Sequence, residues 1–286
     1  MTAETTPAER LDQYVSKHLP SLSRSSGARL IEQGRVLVNG QAQTKAGYRL
    51  RAADKVEIQY DEAELTRIPE INLPVIYEDE KCVVINKPLG LLSHSKGAFN
   101  PEATVATWLS GRLKGGSGGS RDGIVHRLDR ATSGVMMCAK TPAALSHLQK
   151  QFSLRKTKKT YAAVVSGGAL EPARALIDMP IERNPKKPQT FRVGSNGKPS
   201  ITEYKVLKTN GQLSLLELKP TTGRTHQLRV HLEHLGHPIL GDTLYGGQLA
   251  QRLFLHAKSL EITLPGGERR IFEAPVPPEF EEALVT

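Results

Sequence analysis

The stretch Gly123-Ile124-Val125-His126-Arg127-Leu128-Asp129-Arg130-Ala131-Thr132-Ser133-Gly134 sets a dense charged turn between two apolar runs. Ile124 and Val125 open it, and Val135 to Ala139 follow it, so a strand is expected on either side. Four charged or titratable side chains fall within five residues, His126 to Arg130. Desolvating a charge is costly unless it is paired, so packing alone is a poor reason to crowd such groups between buried strands. One reading makes Asp129 a turn cap with the arginines in solvent. The other makes it a functional carboxylate. The rest of the chain has to decide between them.

The chain has 286 residues with 38% hydrophobic and 5% aromatic content, enough for a large domain and a small one. Its formal net charge is +10 and its pI about 9.6. A balance this basic fits a polyanionic partner, with RNA or DNA ahead of an acidic membrane surface. No apolar run reaches the length of a membrane span, and the opening residues lack the pattern of a secretory signal. Cys82 and Cys138 each sit inside an apolar run and read as buried thiols of a reducing compartment. A cytoplasmic monomer is expected.

Taken in order, residues 1–8 are polar. Leu11, Val15 and Leu19 recur at helical spacing, with Ser21 and Ser23 as caps for a second helix over 24–33 that turns Leu30 and Ile31 inward. Gly34 suits the end of that helix, Val36 to Val38 a strand, Asn39-Gly40 a hairpin turn, and 55–60 a further strand. Arg24 and Arg29 lie on the second helix, and Arg35, Lys45, Arg49 and Arg51 follow. Residues 1–60 thus form a small basic unit and 61–73 a linker to a larger domain over 74–286.

In the larger part, Val75 to Lys87 reads as strand, acidic turn and buried strand; 101–113 as a helix; 115–120 as a flexible glycine-serine loop lacking the ending a phosphate loop requires. A helix is expected over 141–152. The cationic run Arg155 to Lys159 then abuts Tyr161 at a strand start, a place to hold phosphates beside a stacking ring. Residues 181–199 read as a polar surface loop, 200–206 and 213–218 as strands, and Phe254 to Leu264 as the final strand. Within Thr222 to His231, Thr225 is expected to cap a helix running to Leu235, which places His226 and Arg229 on neighbouring faces. Four histidines fall between 226 and 237, but without the HExxH spacing or a nearby cysteine, so no metal is expected. Gly241 to Gly246 reads as a turn with an exposed aromatic, Tyr245. Strand pairs with few helices between them argue an α+β fold with a largely antiparallel, mixed sheet.

Two resemblances rest on these motifs. Arg10-Leu-Asp, Ser23-Arg24-Ser25 and Leu30 to Gly40 resemble the alpha-L RNA-binding domain of the type found in small-subunit ribosomal protein S-four. Val84 to Gly90, His126 to Gly134, Lys159 to Tyr161, Gly223 to His231 and Gly241 to Gly246, in this order, resemble the RluA/RluD family of pseudouridine synthases. That resemblance implies cofactor-free isomerisation of uridine in RNA, with ribosomal RNA favoured over transfer RNA. It implies Asp129 as the catalytic carboxylate, attacking C1′ or taking a C2′ proton; the sequence does not choose between these routes. Arg229 is implied as its partner and Tyr161 as the ring stacked on uracil and active in removing the C5 proton. Arg127 is expected to enter the RNA stack or bind phosphate. Arg130, His126, Arg24, Arg29, Lys159, Arg224 and His226 are the further RNA-contacting candidates. A non-catalytic RNA-binding assembly factor and a nucleoside glycosidase are the competing functions.

Overall fold

The computed structural model describes residues 9–20, 22, 24–59, 68–95, 102–115, 121 and 123–285. The caps expected at Ser21 and Ser23, the linker residues 61–67 and the glycine-serine loop after Gly115 lie outside them. The chain divides into two compact units, Met1–Ile71 with Ser95–Ala103, and Asn72–His94 with Thr104–Thr286.

In the smaller unit, helices α1 (Leu11–His18) and α2 (Arg24–Glu32) bury Leu11, Val15, Leu30 and Ile31 against Val36, Val38 and Val56. Gly34 closes α2 with φ +73°. Strands β1 (Val36–Val38) and β2 (Gln41–Ala42) are joined through Asn39 and Gly40, both left-handed, as an Asn-Gly hairpin turn demands. Strand β3 (Val56–Ile58) pairs with β1.

The larger unit is built on one sheet whose strands run in the order β4 (Val75–Glu78), β5 (Cys82–Lys87), β6 (Ser133–Ala139), β13 (Leu255–Thr263), β7 (Lys158–Ser166), β12 (Leu213–Pro220), β11 (Ile201–Thr209) and β8 (Arg174–Asp178). Strand β14 (Arg269–Glu273) pairs with the far part of β13. All pairs are antiparallel except β6 with β13. Every residue of β6 is buried, which its apolar run requires. Gly134 carries φ +113° where β6 meets β13, and a side chain there would collide with the Ala257 backbone. Helix α3 (Val105–Ser110) begins at a Thr104 cap, and helix α4 (Pro142–Ser153) begins at a Thr141 cap and packs Ala144 and Leu148 onto this core.

Three expectations change. Residues 181–199 are not all loop: β9 (Ile181–Arg183) and β10 (Phe191–Val193) form a hairpin, because Ile181, Phe191 and Val193 pack with Val230 and Tyr245. The strand over 254–264 is not the last, since β14 follows it. Ile124 and Val125 form no strand; they are buried, and Ile124 makes a single bridge to Cys138.

Two buried histidines set a pH limit on this unit. His126 Nε2 accepts the Met137 N–H at 3.0 Å, so the ring must be neutral there, and burial lowers its pKa to about 3. Burial likewise lowers His256 to about 4; its Nδ1 meets the Ser133 hydroxyl at 2.9 Å. Both folded values lie below the unfolded one of about 6.5, so the unfolded chain binds more protons as pH falls. Stability is complete above pH 6.5 and declines below it. Between pH 7.5 and 5.5 the unfolding free energy is expected to drop by about 3 kcal/mol, roughly half from each ring. Urea unfolding at the two pH values checks this, and equal midpoints would contradict it.

Candidate active site

The turn 126–132 sits at the start of β6, and its shape is fixed from beneath. The Ser93 hydroxyl donates to the Leu128 carbonyl (2.7 Å) and accepts the Leu128 N–H (3.1 Å). Lys87 at the end of β5 is fully buried; its ammonium donates to the carbonyls of Pro88 (2.9 Å), Leu91 (2.8 Å) and Arg130 (3.4 Å). Burial lowers its pKa to about 8, with the Asp129 carboxylate opposing the shift. The Thr132 N–H closes the turn on the Asp129 carbonyl (3.0 Å). Neither Lys87 nor Ser93 stood out in the sequence, because lysine and serine are read as surface residues unless a partner is visible.

Across the pocket, the loop after β12 leads into helix α5 (Gln227–His234). Thr225 does not cap it. His226 is the N-terminal boundary residue, with a left-handed backbone (φ +56°) and no capping side-chain bond. Its ring is used elsewhere. The Tyr245 hydroxyl accepts the Phe191 N–H (3.0 Å) and lies 2.8 Å from His226 Nδ1. The other ring nitrogen, Nε2, lies 3.8 Å from Asp129 Oδ2. Burial lowers the His226 pKa, and the Asp129 carboxylate opposes this without reversing it. Tyr245, expected to be exposed, is thus buried and central.

Arg229 is buried with Nη1 3.7 Å from Asp129 Oδ2. Its main partner was not foreseen: Nε and Nη2 each donate at 2.7 Å to the two oxygens of Asp242, a carboxylate only 1% exposed. The guanidinium also lies 4.9 Å from the Tyr245 ring centre. Burial lowers the Arg229 pKa, but Asp242 outweighs it and the net shift is upward. Asp242 follows Gly241, whose φ of +81° and close approach to the Arg252 carbonyl exclude a side chain. In the sequence Asp242 shows only as a member of the Gly241 to Gly246 motif, with no sign that it pairs with Arg229.

Asp129, Arg127, Lys159, Tyr161, Arg224, His226 and Arg229 line one pocket, and Asp129 is the sole carboxylate among its lining residues. Tyr161 projects from β7 opposite Ala257 of β13 and Leu218 of β12. Burial, aided by the Asp129 carboxylate, raises its pKa, so the phenol keeps its proton at neutral pH. Lys159 donates to the Thr222 carbonyl at 2.9 Å and is lowered to about 8 by burial.

The remaining candidates distribute differently. His126 stacks on Phe152 (centroids 4.6 Å apart) and holds Met137; as a neutral ring it supports the turn and brings no charge to a phosphate. Arg130 is exposed, and its carbonyl serves Gly90 and Lys87. Arg24 and Arg29, exposed, belong to the smaller unit. Arg24 pairs with Asp12 at 2.9 Å, which Arg10 also binds, so part of its role is to brace α1 against α2. His231 is buried between the Thr202 hydroxyl and the Met179 carbonyl. Among the described residues no three His, Cys, Asp or Glu side chains gather as a metal would need, and no helix is long and apolar enough to cross a membrane.

A family model described as RNA pseudouridylate synthase matches residues 81–234, and one described as S4 domain matches 9–56. An uncharacterized RNA pseudouridine synthase of Synechocystis sp. is 37% identical over 297 residues, spanning 99% of this chain and 90% of its own. The ribosomal large subunit pseudouridine synthase D of Haemophilus ducreyi is 35% identical over 294 residues, spanning 96% and 90%. The solved structure of human RNA pseudouridylate synthase domain containing 1 superposes with a TM-score of 0.60 at 32% identity, over 71% of this chain and 83% of that one. The chain therefore belongs to the RNA pseudouridine synthases of the RluA/RluD type, with an S4 domain ahead of the synthase region. It is an isomerase that acts on RNA.

Proposed function

We propose that this enzyme converts specific uridines of large-subunit ribosomal RNA to pseudouridine, with Asp129 as its catalytic carboxylate. The observation that carries the reading is the lone Asp129 carboxylate in a pocket of cations and one tyrosine, with Arg229 Nη1 and His226 Nε2 facing it from 3.7 and 3.8 Å. The ribosomal target is supported by relatives that match nearly the whole chain, such as the ribosomal large subunit pseudouridine synthase D of Haemophilus ducreyi. Residues 1–60 serve as the RNA-binding domain, with exposed Arg29 among its contacts, 61–73 as a linker, and 74–286 as the catalytic domain of a cytoplasmic monomer.

The target base must leave its stack to reach the pocket. Exposed Arg127 at the rim is placed to fill the vacated position or hold phosphate. Asp129 then assists cleavage of the N1–C1′ bond, by attack at C1′ or by taking the C2′ proton. The base turns over, its C5 bonds to C1′, and the C5 proton departs while N1 gains one. Tyr161 is a phenol, so its part is to stack on the base and donate a hydrogen bond. Asp129, free again once the C–C bond forms, is the base positioned for the C5 proton. Glycoside hydrolysis commonly uses two carboxylates, one to activate water. Here the second nearby carboxylate, Asp242, is buried and held by Arg229, which favours isomerisation over loss of uracil.

The test is tritium release from RNA labelled at uridine C5, with product analysis. One tritium per pseudouridine in large-subunit RNA supports the reading. Free uracil and abasic sites would replace it with a glycosidase, and turnover confined to transfer RNA would correct the substrate.

A further inference from the structure

A second cavity, of about 390 Å³ against about 140 Å³, adjoins the Asp129 pocket. Both are lined by Arg127, Lys159, Tyr161, Thr222, Gly223 and Arg224. To these the second adds His126, Phe152, Ser153, Arg155 and Thr221. Its chemistry is one-sided. Four cations line it, together with three hydroxyl side chains and the rings of Phe152, Tyr161 and His126, and no carboxylate is among them. Elsewhere on the surface some arginines are matched with acids, as in Arg174–Glu203, Arg192–Glu182 and Arg269–Glu261. None of Arg127, Arg155, Lys159 or Arg224 has such an ion pair among the described residues. The wall itself is rigid: Phe152 stacks on His126, Lys159 is tied to the Thr222 carbonyl, and Arg224 Nε donates to the Pro199 carbonyl at 3.2 Å.

Arg155 supplies a separate observation. Helix α4 closes with the Arg155 N–H on the Phe152 carbonyl (3.1 Å) and the Lys156 N–H on the Gln151 carbonyl (2.9 Å). The residue at this closing position is left-handed, and glycine is the usual occupant. Here it is an arginine at φ +56°, exposed at the cavity. A strained position held by a long cation at the edge of a cationic cavity points to a use for the guanidinium.

We propose that this cavity is the subsite for the nucleotide next to the target uridine, with its phosphate held by Arg155 together with Arg127 and its base beside Phe152. Aromatic faces beside a cationic track are the recurring means of holding single-stranded RNA. The ligand class is thus a phosphodiester-linked nucleotide of the substrate strand. The inference rests on the Asp129 pocket being the uridine site.

The experiment uses the full-length enzyme, a short RNA that the wild type converts, and copies of that RNA in which each phosphate flanking the target is a neutral methylphosphonate. Arg155→Gly removes the guanidinium and gives the left-handed backbone its preferred residue, so the thermal midpoint is expected to stay level or rise. Its KM is expected to rise about tenfold, with kcat much less affected and the salt slope of binding reduced by about one. Arg155→Lys should restore part of the loss. One flanking methylphosphonate should weaken the wild type by a similar factor and cost Arg155→Gly nothing further. An unchanged KM in Arg155→Gly overturns the proposal, as do losses that multiply at every linkage. If the wild type converts no RNA at all, the reading of the Asp129 pocket fails first and the subsite falls with it.

Discussion

Asp129→Asn is expected to abolish pseudouridine formation while leaving the fold and RNA affinity in place. The amide has the shape of the carboxylate but can neither attack an electron-poor carbon nor take a proton. The rate should fall by at least about 10⁴-fold, the scale of losing a nucleophile or an acid–base group. A loss of fold is not expected, for a reason visible in the distances. Arg229 and His226 approach Asp129 at 3.7 and 3.8 Å, beyond direct hydrogen bonding, and each has another partner, Asp242 and Tyr245. Removing the Asp129 charge therefore leaves Arg229 and His226 with those partners, and the buried Lys87 ammonium with the carbonyls of Pro88, Leu91 and Arg130. RNA affinity should hold or tighten slightly, because one negative charge leaves a surface meant for phosphates. Tritium release, filter binding and thermal midpoints measured together check this. A variant that keeps more than a few per cent of turnover would remove Asp129 from the chemistry.

The charged turn was legible because four such groups between apolar runs have few packing explanations, and the structure brings His226 and Arg229 of a distant segment to 3.8 and 3.7 Å from its carboxylate. The small unit was legible for local reasons: Asn39-Gly40 demands its turn, and Leu11, Val15, Leu30 and Ile31 are spaced for one face. Where the reading failed, the deciding contact was distant in sequence. Thr225 is the better local cap, yet the helix begins after His226, whose ring is held by Tyr245 nineteen residues on. The lysine- and proline-rich composition of 181–199 hid a hairpin of two three-residue strands, stabilised by Phe191 and Val193 packing near Tyr245. Tyr245 looked exposed for the same reason: its burial depends on that hairpin. Lys87 was passed over because an internal lysine shows its purpose only when the three carbonyls it binds are in place.

The Arg229–Asp242 pair should separate stability from catalysis. Both partners are buried and joined by two 2.7 Å hydrogen bonds. Asp242→Ala or Arg229→Ala leaves one charge buried and uncompensated, and each is expected to cost about 3–5 kcal/mol of stability. Replacing both at once, as Arg229→Met with Asp242→Leu, removes the charges together. Apolar substitution of a buried pair is often neutral or better, so most of the lost stability should return. Turnover should not return with it. Asp129 would then lack the guanidinium 3.7 Å away, and the Asp242 carboxylate that aims that guanidinium would be gone. The expected pattern is a double variant with a thermal midpoint near the wild type and a rate lowered by about 10²-fold or more, the scale of misplacing a charged group at a reacting centre. Denaturant unfolding and tritium release on the four proteins measure the two quantities independently. Recovery of both stability and rate in the double variant would show that Arg229 only holds the loop 241–246 to α5, and that Asp129 works without it.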